Sequence, residues 1–235
     1  RAIVNLLSLS PGETVTSLIK VTEFDEKKYL FMTTRMGVVK KTSLAAYSHP
    51  RTTGIVALTL HEKDQLVSCM VTDGKQEVFI ATNMGKAIRF NEKGVRELGR
   101  TAAGVRGIRL GKGDSVIAAA LVEDGGMALT ATSNGYGKKT PFQDYRLQSR
   151  GGSGVANLKI TEKTGKVLGV AAVREDDEII LATSGGMIVR SAVEGIRTSG
   201  RNTQGVRLIN LKENDRVASI ARVLIRDEDE EQEGQ

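Results

Sequence analysis

The sequence predicts an all-β fold made of four similar units of about fifty residues each. Three observations lead to this expectation. The chain contains 26 glycines but only 3 prolines, which suits many tight turns between strands. Aromatic residues make up 4% of the chain, so the interior must be packed mainly with aliphatic and small side chains. Three short patterns also recur in a fixed order, without any sustained 3.6-residue periodicity.

The first pattern predicts a β-hairpin in each unit. A short apolar run leads to a threonine, a glycine follows three residues later, and another extended stretch comes next. The turn needs a residue with positive φ, which Gly or Asn can provide. The spacings between successive pattern glycines are 48, 50 and 51 residues. The four copies of this pattern occupy residues 33–37, 81–85, 131–135 and 182–186.

The second and third patterns predict two more strands in each unit. The second begins with an arginine, followed three or four residues later by a glycine and a β-branched residue; the arginines are Arg51, Arg100, Arg150 and Arg201. The third is a turn followed by an apolar strand, beginning at Asp64, Asp114, Gly165 and Asp215. Residues 1–22 repeat the second and third patterns incompletely, which predicts a partial blade there.

Four strands in each unit favour a blade of a propeller-like ring over a sandwich or a helical solenoid. We therefore expect each unit to form one four-stranded blade. Together with the partial blade, residues 1–226 are predicted to form a single domain of about five blades.

The sequence argues against several classes of function. The longest apolar run, Val116 to Val122, has seven residues, too few to cross a bilayer, and no export signal is visible. The glycine-rich stretch at residues 135–140 does not match a phosphate-binding loop, because Lys139 occupies the position of its serine or threonine and Thr132 that of its first glycine. His49 and His61 have no neighbouring ligands that would complete a metal site. We therefore predict no catalytic residue, no metal and no cofactor in this chain, and a cytoplasmic location.

The distribution of charge predicts a polyanionic partner. The net charge is +6, but residues 227–235 hold six acids and no base. Without them, 34 bases stand against 28 − 6 = 22 acids, so the rest of the chain carries about +12. A strongly basic body favours binding to a polyanion. The acidic tail at residues 227–235 is expected to be disordered and to compete for the same surface.

A base stands four residues after every hairpin glycine, and the preceding residue is also basic in two units. If the units are arranged radially, these residues and the arginines of the second pattern would form a stripe that follows a phosphate backbone. Too few aromatic residues interleave with them to stack single-stranded bases, so duplex DNA is the predicted partner. The alternative is structural: the arginines bind turn carbonyls and the lysines keep strand edges from pairing. The candidate DNA-binding residues are Lys40, Lys41, Arg51, Arg89, Arg100, Lys138, Lys139, Arg150, Arg190 and Arg201.

Several stretches of the chain resemble the C-terminal domain of the A subunit of bacterial DNA gyrase, a type II topoisomerase. They are residues 1–7, 21–24, 104–110, 131–138 and 200–206. The resemblance implies a six-bladed β-pinwheel, whose blades exchange strands and which wraps DNA around a basic rim. It also implies support of ATP-dependent negative supercoiling at the bacterial nucleoid, where the partners would be the gyrase B subunit, together with the remainder of the gyrase A polypeptide. The catalytic sites would lie outside this chain, and the isolated domain would be monomeric.

The sequence departs from that family in one respect. The family carries a short box, Q-[RK]-R-G-G-[RK]-G, in its first blade, and no intact box is present here. Residues 148–154 keep its spacing, but Ser149 and Ser153 replace the two flanking bases. We interpret this stretch as the second pattern of its own unit. The alternatives are a protein-interaction propeller that docks an acidic partner, and the equivalent domain of the related decatenating topoisomerase.

Overall fold

The structure is a computed structural model that describes residues 9, 12–51 and 53–223. These residues form 15 strands, and none of their helices has the length and apolarity needed to cross a membrane. The hairpin strands are β1 (Tyr29–Thr34), β2 (Val38–Ser43), β4 (Glu77–Thr82), β5 (Lys86–Asn91), β8 (Met127–Thr132), β9 (Tyr136–Pro141), β12 (Glu178–Thr183) and β13 (Ile188–Ala192). The long strands that follow the hairpins are β3 (Leu66–Thr72), β7 (Val116–Leu121), β11 (Val167–Val173) and β15 (Val217–Val223). The two-residue strands are β6 (Val105–Arg106), β10 (Val155–Ala156) and β14 (Val206–Arg207).

The same two residue types close the turn in all four hairpins. The glycine amide donates to the carbonyl of the threonine three residues earlier at 3.0–3.1 Å. The hydroxyl oxygen of that threonine accepts the amide of the residue after the glycine at 3.2 Å. Each glycine has φ between +76° and +83°, as the hairpin prediction required, whereas Asn83 and Asn134 do not have positive φ. This bonding explains why threonine and glycine recur at a fixed spacing.

Neighbouring repeats exchange strands, so a unit of fifty residues is not one blade. The long strand after a hairpin pairs with that same hairpin, but the two-residue strand pairs with the hairpin of the preceding repeat. The prediction that each sequence unit forms one blade was therefore wrong in this detail. The sheet orders are β3–β1–β2–β6, β10–β5–β4–β7, β11–β8–β9–β14 and β13–β12–β15.

The exchanged strand attaches to its sheet at the hairpin glycine. The Gly85 carbonyl accepts the amides of Asn157 at 2.8 Å and Leu158 at 3.2 Å. The carbonyls of Gly37 and Gly135 accept two amides from β6 and β14 in the same way. A side chain on Gly85 would have no room, because an added Cβ would lie 2.2 Å from the Leu158 carbonyl oxygen. The first and second sequence patterns are therefore the two sides of one repeated contact.

The chain divides into two compact units, each with an apolar core. The first comprises Arg1–Ile80, Ile88–Leu121 and Leu147–Gly154, and its core includes Phe31 and Phe90, whose ring centroids lie 6.5 Å apart. The second comprises Ala81–Ala87, Val122–Arg146 and Val155–Gln235. Its core consists of the buried side chains Met127, Leu129, Ala131, Val173, Ile179, Leu181, Val193, Ile196, Ile209 and Val217. The single domain predicted for residues 1–226 stays a prediction.

Two further expectations concern the ends of the chain: a partial blade at residues 1–22 and an acidic tail at residues 227–235. The structure describes four sheets, and residues 12–22 of the expected partial blade contain no strand. Residues 1–8, 10 and 11 of that blade, and the acidic tail at residues 227–235, lie outside the described residues. Gly12 has φ +83°, and Gly113 and Asn214 have φ +73° and +62° in the corresponding turns of later repeats; the partial blade itself stays a prediction.

Candidate nucleic-acid interface

The four predicted lysines face inward. Lys40 and Lys138 are fully buried, and Lys41 and Lys139 are nearly so. The Nζ of Lys40 donates to the carbonyl of Ala57 at 2.6 Å and to that of Arg100. The expectation that these lysines lie on an outer surface was therefore wrong, because distant backbone carbonyls supply the acceptors that a buried ammonium group requires.

The lysines of the third hairpin are bound in a similar way. The Nζ of Lys138 donates to the carbonyls of Gly200, at 2.5 Å, and Arg201. The Nζ of Lys139 donates to the Val193 carbonyl at 3.0 Å and forms an ion pair with Glu175. Burial, followed by the nearby charge of Arg201, lowers the pKa of Lys138 to about 8. These lysines bind backbone carbonyls, which is the role that the structural alternative had assigned to the arginines.

In the second and fourth hairpins, an arginine stands at the position of Lys41 and Lys139, four residues after the glycine. Each of these arginines pairs with a glutamate of the same hairpin. The Nε of Arg89 donates to Glu77 Oε2 at 2.6 Å, and the Nε of Arg190 donates to Glu178 Oε2 at 2.5 Å. Arg190 remains 62% exposed, whereas Arg89 is half-buried. Of the residues predicted at the position four after the glycine, only Arg190 therefore lies at the surface.

The arginines that open the second pattern are more accessible. Arg51 is exposed, and it lines an open cavity of about 450 Å³ together with His49 and Arg100. Arg100, Arg150 and Arg201 are half-exposed. Two of them bind backbone carbonyls: Arg150 donates to the Gly94 carbonyl in a short turn at 2.7 Å, as the alternative predicts, and Arg100 donates to the Val56 carbonyl, outside any turn, at 3.2 Å. Contact of DNA with any of the ten predicted residues stays a prediction.

A regular set of exposed arginines was missed by the sequence analysis. In three repeats a short turn ends on a buried residue whose amide donates to the carbonyl three residues earlier, and an arginine follows. The buried residues are Val95, Tyr145 and Ile196, and the exposed arginines are Arg96, Arg146 and Arg197. The backbone is extended at Val95 and Tyr145, so the next side chain points the opposite way, toward solvent. The spacings of 50 and 51 residues between these arginines were visible in the sequence.

Further exposed bases lie on the exchanged strands and directly after them. Arg106 and Arg207 occupy the second position of β6 and β14 and are exposed. The Nη2 of Arg207 donates to the Tyr136 hydroxyl at 2.9 Å, which fixes its guanidinium over the Tyr136 ring. Arg109 and Lys159 follow three residues after Arg106 and Ala156 and are also exposed.

The described residues show no group of three or more His, Cys, Asp or Glu side chains placed to hold a metal ion. Burial raises the pKa of the only cysteine, Cys69, to about 11, so its thiol stays protonated at neutral pH. The features that recur at the surface in this part of the chain are guanidinium and ammonium groups, which bind phosphate through charge-assisted hydrogen bonds.

Repeated four-stranded sheets, each completed by a strand from the next repeat, define the class of strand-exchanged propeller proteins, the pinwheels. The family model "DNA gyrase C-terminal domain, beta-propeller" matches residues 28–73, 76–123, 127–174 and 177–223. Each match begins within a few residues of one hairpin. The chain belongs to this family.

Individual relatives agree with this assignment. The DNA gyrase A protein of Salmonella typhimurium is 43% identical over 231 residues, and that of Escherichia coli is 44% identical over 223 residues. The alignments cover 98% and 95% of this chain but 26% of each relative, so the chain spans about a quarter of their length. The solved C-terminal domain of DNA topoisomerase IV matches with a TM-score of 0.89 at 30% identity, over 95% of this chain and 70% of that one. The C-terminal domain of DNA gyrase A matches with a TM-score of 0.86 at 25% identity, over 95% and 75%.

Proposed function

We propose that this chain binds, bends and wraps duplex DNA, and that it thereby supports ATP-dependent negative supercoiling by a gyrase complex of A and B subunits. The chain would contribute binding and bending, and the chemistry of the topoisomerase would reside in other parts of the complex, in the bacterial cytoplasm at the nucleoid. One observation carries the proposal: an exposed arginine stands at the same structural position in three successive repeats, at Arg96, Arg146 and Arg197.

The physical basis of the proposal is electrostatic. Each cation that neutralises a phosphate releases a condensed counterion, which adds affinity without requiring a particular base sequence. No α-helix is present in the described residues to enter a major groove, so readout of bases by a recognition helix is not expected. Binding should therefore depend weakly on sequence, except where the sequence makes the duplex easier to bend.

The placement of the aromatic residues favours duplex over single-stranded DNA. Proteins that bind single strands expose aromatic rings on which bases stack. Here Phe31, Phe79, Phe90, Phe142 and Tyr145 are fully buried. Among the described aromatic side chains, Phe24 is the only exposed one, at 42%. A single exposed ring is not a stacking platform.

Removing the three regular arginines should weaken DNA binding and its dependence on salt. The variant combines Arg96→Ala, Arg146→Ala and Arg197→Ala, and its binding to a duplex of about forty base pairs is measured across a salt series. We expect the dissociation constant to rise on the order of 10²-fold at about 0.1 M salt. The slope of log K against log salt should become shallower by roughly three.

A charge-matched variant provides the control. Lys63, Lys112 and Lys212 are exposed and lie in the turns of the third pattern, so replacing them with alanine removes the same charge elsewhere. This control should lose much less affinity than the arginine variant. Equal losses would mean that net charge alone determines binding, and an arginine variant that binds like the wild type would contradict the proposed interface.

Wrapping requires a separate measurement on closed circular DNA. The chain is bound to relaxed circles, a nicking-closing enzyme is added, and the topoisomers are resolved after the protein is removed. A shift in linking number that grows with bound protein is expected, because a duplex bent around the chain stores writhe when the circle is closed. Salt-dependent binding with no shift would show that this chain binds DNA without wrapping it.

A further inference from the structure

Two lysines that the fold does not require are completely buried. Lys40 of β2 and Lys138 of β9 occupy equivalent hairpin positions, and both are 0% exposed. The corresponding residues in the other two hairpins are Ile88 and Val189. An apolar side chain therefore satisfies the packing at this position, and an ammonium group there must have a further role to offset its desolvation.

Apart from the Ala57 carbonyl, which Lys40 also binds, the carbonyls that these lysines bind belong to the arginine-bearing stretches of the next repeat. We define the arginine segments as residues 96–100 and 197–201. Lys40 binds the carbonyl of Arg100, the last residue of the first segment, and Lys138 binds those of Gly200 and Arg201, the last two residues of the second. The lysines thus contact the backbone of the segments from inside, while Arg96 and Arg197 face solvent.

The adjacent lysines hold the chain just before each segment. The Nζ of Lys41 donates to the Glu92 carbonyl at 3.1 Å, and the Nζ of Lys139 donates to the Val193 carbonyl at 3.0 Å. The strand backbone adds a bond in the middle, because the amides of Leu98 and Ser199 donate to the carbonyls of Lys41 and Lys139 at 2.9 Å. Each segment is therefore fixed to the preceding hairpin at its beginning, middle and end.

The second hairpin, which has no lysine pair, anchors the following chain differently. The amide of Gln148 still donates to the carbonyl of Arg89 at 2.9 Å. No buried lysine of the hairpin contacts this stretch. Instead, the side chain of Arg150 itself binds the carbonyls of Gly94 and Arg106, at 2.7 and 3.0 Å.

An arginine used for anchoring has fewer donors left for a phosphate. Arg100 still donates to the Val56 carbonyl, but the lysine anchors leave the side chains of Arg96, Arg197 and Arg201 for phosphate.

We infer that Lys40 and Lys138 are positioning residues for DNA binding, which hold the arginine segments 96–100 and 197–201 in a fixed conformation without touching DNA. This inference rests on the proposed function. A fixed segment presents its guanidinium groups without the entropic cost of ordering them when DNA binds. Loss of the lysine should therefore weaken DNA binding only through the arginines that it positions.

A double-mutant cycle tests this coupling in the full chain. Lys138→Met, the pair Arg197→Ala with Arg201→Ala, and the combination of all three are compared for duplex DNA binding at constant salt. We expect Lys138→Met to weaken binding roughly 5- to 10-fold alone, and less than about 2-fold once the two arginines are absent. The matched control is Ile88→Met, which places the same side chain at the equivalent position of the second hairpin and should bind like the wild type.

Other outcomes of the cycle distinguish failure of the positioning role from failure of the proposed function. If Lys138→Met weakens binding by the same factor in both backgrounds, or leaves it unchanged while the arginine pair weakens it, the positioning role is wrong. If the wild-type chain binds no duplex, or the arginine pair has no effect, it is the proposed function that fails.

Amine labelling of the wild-type chain provides a test that needs no variant. An acylating reagent with mass-spectrometric readout should leave Lys40 and Lys138 unmodified, with and without DNA, while the exposed Lys93 and Lys112 react. Labelling of Lys138 in the free chain, followed by protection on adding DNA, would mean that this lysine contacts phosphate directly and would overturn the inference.

Discussion

Replacing Gly85 with alanine should destabilise the chain by about 4 kcal/mol or more. An added Cβ would lie 2.2 Å from the carbonyl oxygen of Leu158, a backbone atom that moves only if the exchanged strand β10 moves. Gly85 also has φ +76°, which alanine adopts only with strain. Urea unfolding measures the total cost, and faster amide hydrogen exchange at Asn157 and Leu158 would locate it, since both amides donate to the Gly85 carbonyl.

The hairpin glycine of the fourth sheet separates the two causes. Gly186 has φ +83°, close to that of Gly85, but an added Cβ there meets nothing within 4 Å. Gly186→Ala should therefore cost only the strain of positive φ, about 1 kcal/mol. Equal costs for the two substitutions would show that β10 is not held against the hairpin as tightly as this geometry requires.

The hairpins could be predicted from the sequence because their determinants are local. A threonine hydroxyl, a glycine with positive φ and a flanking apolar strand are sufficient to define the turn, and all three recur in every repeat. The partner of the two-residue strands could not be predicted in this way. Val105 and Val155 each follow the glycine of the second pattern, and this pattern does not indicate which hairpin they pair with. Their partners lie more than sixty residues earlier in the chain.

Whether the basic side chains point into the interior or toward solvent could also not be predicted from the sequence. Residues 39–42 of β2 are all buried, so both faces of this strand are covered and the usual alternation between solvent and core is absent. Lys40 can be buried because the carbonyls of Ala57 and Arg100 accept from it, and Arg100 lies sixty residues further along the chain. No local pattern reveals an acceptor at that separation.

The exposed arginines were missed for a different reason. A position that is basic in all four units stands out in the sequence, whereas the first unit has Ser48 after its buried Tyr47, where later units have arginine. Of the two positions that are basic in every unit, the one four residues after the glycine is mainly internal: Lys41 and Lys139 are buried and Arg89 is half-buried. A surface that binds phosphates through summed charge tolerates the loss of one member.

Lys138→Met should destabilise the chain by about 2–3 kcal/mol at neutral pH, since the Arg201 carbonyl loses its ammonium donor and the Gly200 carbonyl keeps only the Thr203 hydroxyl. Removing a buried ammonium group also relieves its desolvation, which keeps the net cost below that of the two lost bonds. Ile88→Met is the matched control and should cost less than about 1.5 kcal/mol, because it conserves both volume and polarity. Urea unfolding curves of the two variants and the wild type give these differences.

The cost of Lys138→Met should also grow with pH, and this dependence distinguishes the lysine from an ordinary packing residue. Burial and the charge of Arg201 lower the pKa of Lys138 from 10.5 to about 8, with a smaller opposing effect of Asp144. Between these two values the unfolded chain binds a proton that the folded chain does not, so the stability of the wild type rises with pH relative to a variant without the amine. We expect the difference between wild type and Lys138→Met to increase by on the order of 1–3 kcal/mol from pH 7.5 to pH 10, and the difference between wild type and Ile88→Met to stay constant. A constant difference for Lys138→Met would contradict this expectation, because it would mean that the folded chain stabilises the Lys138 ammonium as well as water does.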